Sequence, residues 1–455
     1  MNLQNPFGQS FYDLQLPEHA QVLRMPPAKV LEHPKEEIAR ALANPIGCPP
    51  LAELAAQKKR DKTGATAVIV VSDNTRPVPY REPDGILMPV VDTLLAAGFR
   101  ANELLVLVAT GTHVAMNDEA LRRMLPKRLF ELGIAVVNHD CRDDGQLTFL
   151  GRTARGGEVY IDSRYLAADL RIATGLIESH FMAGVSGGRK AICPGLVGEK
   201  TTYVFHGAEL MAHSQARDLQ LEGNPVHEES LEIAQMAGVD FLVNVTLDNE
   251  FRITGVFAGD LVAAHLAGVK KLRESVEIRV SAPVDIVVTH AGYVGVNHYQ
   301  CAKCAVAGLG VLKHGGWMVI LANPTAAEPV GSLNYRAMAA LLKVLGSEKF
   351  QRCLQSPDWT FVPEQWQVQQ WGKLFRRIPQ DHLLCYSPTF SPRDWQNLPG
   401  REISPVPSSP QCFQTALNLA LTTIARETGR ALDTFSIAYM ADGPYAVVST
   451  NTKEL

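Results

Sequence analysis

Within residues 178–207, ESHFMAGVSGGRKAICPGLVGEKTTYVFHG, two histidines, a glycine-rich turn and a lysine crowd into one short stretch. Closely spaced glycines let backbone N–H groups converge on an anion, so GVSGGRK, with Ser186, Gly187 and Gly188, can be read as a phosphate-binding turn. An ordinary tight turn between strand and helix explains the same residues. Neither GGRKAI nor GLVGEKTT supplies the Gly-Lys-Ser/Thr ending of a P-loop, which disfavours a nucleotide triphosphatase. Lys190, beside Arg189, reads either as a solvated lysine or as an amine tuned for covalent attachment. His206 either packs against a helix or ligates a metal whose remaining ligands come from elsewhere.

Further groups stand apart in sequence but follow apolar runs in the same way. His113 (in ATGTH) and His180 (in ESH) each come directly after a run of strand character, where two imidazoles could act as acid and base on opposite faces of a substrate. Local bonding to turn backbone is the plainer alternative. Arg76 in SDNTRP suits bidentate recognition of a carboxylate, unless Asp73 occupies it in a local ion pair. In NHYQCAKC, Tyr299, Gln300 and Lys303 fall near a helix start, and Tyr299 and Lys303 share a helix face. That face supplies a second cation to an anionic substrate or simply meets solvent.

The elements that must position these groups can be read from the apolar pattern. Residues 1–50 are proline-dense with one helix near Pro34–Ala43, an arm laid over a domain. Ala65–Val71 then reads as a strand buried on both faces, and LLVLVAT, GIAVVNHD and LRIATGLI repeat the pattern, separated by helical segments. Strands alternating with helices imply parallel pairing with right-handed crossovers, a doubly wound α/β sheet whose ligands gather beyond the carboxyl strand ends. After helical stretches at Asn224–Ala237 and Val262–Val276, PVDIVVTHAGY restarts the alternation. Strands are expected at Asp285–Thr289, Trp317–Ala322, Leu383–Cys385 and Thr434–Tyr439, with helices at Tyr299–Leu312, Tyr335–Leu345 and Gln414–Arg430. The fold class is therefore α/β, two α/β domains with largely parallel sheets facing an interdomain cleft. The domains are 1–277, with the arm, and 278–455.

Composition narrows the function classes. The 43 Lys and Arg against 47 Asp and Glu give a formal net charge of −4 without long blocks of one sign. That pattern argues against a nucleic-acid or membrane-surface partner and leaves a small molecule. The start, MNLQNPFGQSFYDLQLPEHA, lacks the basic and apolar character of a secretory signal, and no apolar run is long enough for a bilayer, so a cytoplasmic location is expected. Eight scattered cysteines with a single CxxC (Cys301, Cys304) read as reduced thiols rather than a zinc site. A nucleotide-binding protein without chemistry, and a metal-dependent hydrolase using His113, His180 and His206, are the competing classes.

Taken together and in order, SDNTRPVP, ATGTH, ESHFMAGVSGGRKAICPG, FHG and NHYQCAKC resemble the nickel-dependent lactate racemase family and its homologues acting on other 2-hydroxy acids. The similarity runs from about Thr66 through YMADGPY. It implies a racemase or epimerase working by proton-coupled hydride transfer on a small 2-hydroxy acid. It also implies a nickel-pincer nucleotide (pyridinium-3-thioamide-5-thiocarboxylic acid mononucleotide) with Ni(II), made by separate cofactor-synthesis enzymes. By the same resemblance Lys190 forms the thioamide, His206 completes the nickel coordination, and the Ser186–Gly187–Gly188 turn lies near the cofactor phosphate. His113 and His180 are implied as the acid/base pair. Arg76, Tyr299, Gln300 and Lys303, with Trp366 in EQWQVQ, are implied as substrate contacts and Asp73 as a supporting carboxylate. Lactate, malate, an aromatic lactate and a sugar acid are all compatible with these motifs.

Overall fold

The run AVIVVS forms the strand Ala67–Ser72, whose first five residues are buried. Near-continuous β-branched character is what a strand covered on both faces requires. In the computed structural model, which describes residues 2–450, this strand is central to a six-stranded sheet. The order is Ile253–Gly259, Phe241–Leu247, Leu170–Leu176, Ala67–Ser72, Leu104–Ala109 and Ala135–Asn138. Every pairing is parallel except that of the edge strand Ile253–Gly259. From Ala67–Ser72 the chain first winds outward through Leu104–Ala109 and Ala135–Asn138, then returns to the other side with Leu170–Leu176. The reversal opens a crevice beyond Ser72 and Leu176, the place where doubly wound sheets hold ligands.

The core under this sheet is aliphatic: Ile69, Val71, Val106, Val108, Ile172 and Val243 are buried with helix residues Val90, Val91 and Leu94. Ile172, fully buried in the middle of the sheet, is a direct measure of that packing. Ile172→Ala is expected to cost about 2–5 kcal/mol, read as a lower urea midpoint for this unit.

The chain divides into two compact units, Pro27–His206 with Gln215–Ser275, and Met1–Pro26 with Gly207–Ser214 and Val276–Leu455. Residues 1–26 and 207–214 cluster with the C-terminal unit rather than with the segments that follow them in the chain. The reason is strand pairing. Gln21–Leu23 adds to the edge of the C-terminal sheet beside Ile437–Met440, and Met25 N–H donates to the Asp442 carboxylate at 2.6 Å.

The C-terminal sheet is also six-stranded and parallel, ordered Arg401–Glu402, Leu383–Tyr386, Leu312–Leu321, Val284–His290, Ile437–Met440 and Gln21–Leu23. The expected Tyr299–Leu312 helix is His298–Ala307, because Gly308–Gly310 turn the chain into the next strand. The helical span Leu333–Leu354 is two helices broken at Gly346, whose φ of 71° is a left-handed value open to glycine, and the expected Tyr335–Leu345 helix is the first of them. Helix Gln365–Arg377 was not anticipated from the sequence.

Candidate active site

Beyond Ser72 the chain turns on Asp73, whose Oδ1 accepts from the Thr75 N–H at 3.2 Å and the Thr75 hydroxyl at 2.6 Å. Its other oxygen, Oδ2, lies 2.7 Å from His113 Nδ1. Burial alone would raise the Asp73 carboxyl, but the His113 hydrogen bond and charge, with Thr75, outweigh it and hold the group below its ordinary range. An ionised carboxylate accepts, so Nδ1 carries the proton and Nε2 of the half-exposed His113 ring is left as the basic nitrogen. Asp73 therefore belongs to His113, which answers the question of a local Asp73–Arg76 pair. Arg76 instead approaches Glu178, with Nε to Oε2 at 3.7 Å, and both side chains are partly exposed.

His113 is delivered by the turn after Leu104–Ala109. Thr110 is fixed there by donating to His139 O at 2.7 Å. Gly111 bonds to Gly195 O at 3.0 Å and has a φ of 55°, and a Cβ there would lie 3.1 Å from Pro194 O. The ATGTH turn is thus held against the segment that follows Lys190.

His180 lies on the other side of the crevice in a two-residue hairpin, Ser179–His180 with Gly184–Val185. Its Nδ1 accepts N–H bonds from Met182 at 3.4 Å and Ala183 at 3.2 Å. In the neutral ring the proton then sits on Nε2. The two expected acid/base histidines are therefore chemically unlike: His113 presents a basic Nε2, and His180 an Nε2–H donor.

The SGG turn spends most of its donors on its own architecture. The Ser186 hydroxyl donates to Leu176 O at 2.7 Å and accepts from Glu178 N–H at 2.8 Å. Gly188 N–H donates to Asn244 Oδ1 at 2.8 Å, and the His265 ring lies where a Gly188 Cβ would be, 2.7 Å away. These contacts fix the turn Gly188–Ala191, which carries Lys190 half-buried on one side and Arg189 inward on the other. Arg189 is 1% exposed. It donates to Ala183 O at 2.6 Å, while its Nε and Nη1 have no hydrogen-bond partner among the described residues. Burial pushes the guanidinium down to about 9, so it stays charged at neutral pH.

His206 ends the short helix Thr202–Phe205, its ring tilted against Phe205 at 4.6 Å between centroids. Burial first, then the cationic fields of Lys190 and His113, push it down to about 3. Lys190, His113 and His206 are thereby placed as electrostatic neighbours, with His206 in the neutral form that can offer a lone pair to a metal.

Behind the site, buried His139 bridges Asp162, at 2.9 Å from Nδ1, and Val197 O, at 3.0 Å from Nε2. Burial would raise the Asp162 carboxyl, yet Arg164 and His139 together hold it at about 2. Because this value lies below the ordinary 3.8, the stabilisation is fully present above about pH 4 and is lost as pH falls through about 2. Asp162→Asn is expected to lower stability at pH 7 by about 2 kcal/mol and to flatten the acid limb of a Tm-against-pH curve between pH 4 and 2.

In the C-terminal unit, Asn297 caps the helix His298–Ala307 by accepting Gln300 N–H at 2.9 Å. Tyr299 and Lys303 share one face, one turn apart, both half-buried. Trp366, on helix Gln365–Arg377, donates its indole N–H to the Tyr299 hydroxyl at 3.2 Å, and Gln367 donates to Tyr299 O at 2.6 Å. Gln300 Oε1 is buried without a hydrogen-bond partner among the described residues. Tyr299 and Trp366 are thus bonded to each other, with Gln300 and Lys303 on the same helix as Tyr299. Glu178, Arg189 and His298 were missed as individuals, although each lies inside a motif the sequence singles out.

A doubly wound sheet whose strand ends carry His113 oriented by Asp73, His180, the Lys190 turn and a buried neutral His206 is the arrangement of an α/β enzyme. Comparison with known proteins gives the particular family. A model of the lactate racemase N-terminal domain matches residues 7–218. The lactate racemase of Thermoanaerobacterium thermosaccharolyticum is 34% identical over 328 residues, 71% of this chain and 74% of that protein. That of Lactiplantibacillus plantarum is 32% identical over 354 residues, 77% and 79% of the two chains. The solved lactate racemase apoprotein from T. thermosaccharolyticum superposes with a TM-score of 0.84 at 27% identity, covering 98% of this chain and 100% of that one. The chain belongs to the lactate racemase family, and its activity is that of an isomerase of the racemase type.

Proposed function

We propose that the chain interconverts the configurations at C2 of a small 2-hydroxy acid with a nickel-pincer nucleotide held covalently by Lys190 and ligated through nickel by His206. The observation that carries this reading is the neighbourhood of Lys190, His206 and the Asp73-oriented His113 at the sheet's switch point. The residues fit the cofactor on three counts. The Lys190 charge acts on the His206 imidazole, which burial keeps neutral. The soft donors of the pincer ring suit Ni(II) with one imidazole added. Arg189, a buried cation with two nitrogens that have no hydrogen-bond partner among the described residues, gives the positive potential a phosphate favours. A conventional zinc hydrolase needs three or more protein ligands in one cluster, and none is found among the described residues.

Held by Lys190 and His206, the cofactor would supply a reversible hydride acceptor for the C2 hydrogen. The chain's own residues do the rest. Arg76 is the group proposed for the substrate carboxylate, and Tyr299, Gln300, Lys303 and Trp366 are proposed as further substrate contacts. His113 Nε2 accepts the hydroxyl proton as C2 loses its hydrogen, leaving a planar 2-keto acid. As hydrogen returns to the opposite face, the His113 imidazolium gives its Nε2 proton back to the C2 oxygen and is neutral again, while the Nε2–H of His180 is the hydrogen-bond donor proposed for that oxygen and His180 the histidine proposed to serve the mirror-image substrate. Asp73 keeps the His113 tautomer correct throughout.

The small 2-hydroxy acid and the cofactor-synthesis enzymes are the partners this reading requires. Among the described residues no helix is long and apolar enough to cross a membrane. The test is chiral chromatography of single enantiomers of lactate, malate, phenyllactate and a sugar acid, incubated with protein co-produced with the cofactor-synthesis enzymes. Racemisation or epimerisation of at least one is expected. Failure with all four, by protein that carries the adduct, would refute the proposed chemistry.

A further inference from the structure

The histidine one residue ahead of Tyr299 has no role in the scheme above, yet its surroundings are specific. His298 is 3% exposed and opens the helix His298–Ala307. Its backbone N–H donates to Pro329 O at 2.8 Å, and its Nδ1 lies 2.6 Å from the Tyr335 hydroxyl. The Trp371 indole N–H donates to that same hydroxyl at 2.9 Å. The same Tyr335 hydroxyl lies 3.3 Å from His298 O as a donor, so the side chain and the backbone of His298 are both bonded to Tyr335, with the Nδ1 contact the shorter. The His298 ring stacks on Trp371 at 4.6 Å and 15°, and the Tyr335 ring meets the Tyr299 ring edge-on at 5.4 Å and 62°. Tyr335 and Trp371 are themselves fully buried. His298 Nε2 has no hydrogen-bond partner among the described residues.

This network is costly if only packing is at stake. A buried imidazole with one nitrogen unsatisfied is worse than an aliphatic side chain of like volume. It does, however, join three elements at the residue that matters. Helix Gln365–Arg377 reaches Tyr299 through Trp366 and Gln367 and reaches His298 and Tyr335 through Trp371. The helical span Leu333–Leu354 brings Tyr335 between them. We infer that His298 and Tyr335 are positioning residues that fix the ring of Tyr299 and the helix start bearing Gln300, acting through the His298 Nδ1–Tyr335 bond. This rests on the proposed substrate role of Tyr299 and Gln300.

The nitrogen used makes the test selective. Asparagine places a hydrogen-bonding amide near the Nδ1 position, whereas glutamine reaches toward Nε2. In cofactor-loaded protein, His298→Asn is expected to keep KM for the hydroxy acid within about 3-fold of wild type. His298→Gln and Tyr335→Phe are expected to raise KM by about 10-fold with kcat changed less than about 3-fold, the signature of lost substrate binding rather than lost chemistry. Cofactor loading by intact mass should equal wild type in all three. A role in packing alone would make Asn and Gln behave alike, and that result, with wild type active, overturns this inference and leaves the proposed function standing. If Tyr335→Phe does not fold, the Asn and Gln pair decides. Loaded wild type that acts on no 2-hydroxy acid overturns the proposed function and this inference together.

Discussion

Lys190→Ala is expected to fold as wild type and to show no measurable racemisation, a loss of at least about 10⁴-fold in kcat/KM. The side chain is half-buried on the short turn Gly188–Ala191, so its truncation removes little packing. What it removes is the amine that tethers the cofactor, and with the cofactor goes the group that does the difficult step. Lys190→Arg separates charge from tether. It keeps the cation beside His206 but cannot form the thioamide, so it too is expected to be inactive. Chiral assay of both variants against loaded wild type, with thermal unfolding as the control for folding, checks the expectation. Substantial activity in either would remove the covalent role.

Asp73→Asn is expected to lower kcat/KM by about 10²- to 10⁴-fold with little change in stability. The carboxylate holds the proton on His113 Nδ1 across a 2.7 Å contact. An amide in its place offers an N–H to Nδ1, which moves the ring proton to Nε2 and cancels the basic nitrogen. The Thr75 bonds to Oδ1 survive the change, so the turn itself is retained. Because the Asp73 carboxyl is held below its ordinary range by His113 and Thr75 against its burial, it stays ionised throughout the working range. An acid limb in the wild-type rate profile above about pH 5 therefore belongs to another group. Steady-state rates of the variant from pH 5 to 9 check this, and a rate near wild type would remove Asp73 from the mechanism.

Much of the site could be read from the chain because the site sits at strand ends. The apolar run before Asp73 is a strand from Ala67, and His113 and His180 do follow strands, with the extent of each set by alternation of β-branched runs and turns. Sequence could not say that Asp73 serves His113 rather than Arg76, since that depends on which loops meet across 40 residues. Nor could it show that the SGG turn uses its hydroxyl and an amide on Leu176, Glu178 and Asn244. The arm was misjudged as an overlay because Gln21–Leu23 is only three residues long, too short for any period, and is a strand only through its pairing with Ile437–Met440. Helix Gln365–Arg377 was hidden for a different reason. It buries four glutamines, Gln365, Gln367, Gln369 and Gln370, beside Val368, Trp371 and Leu374, so its apolar stripe is narrow and flanked by polar residues that are also buried. Those glutamines are used as hydrogen-bonding groups, as Gln367 on Tyr299 shows.

The most direct test of the central claim is the intact mass and metal content of protein co-produced with a cofactor-synthesis system, beside protein made without it. The expected result is a single covalent adduct of modified-mononucleotide size on Lys190, located by peptide mapping, with nickel bound close to one per chain. An unmodified Lys190, in a preparation where the same system loads an established lactate racemase, would contradict the account.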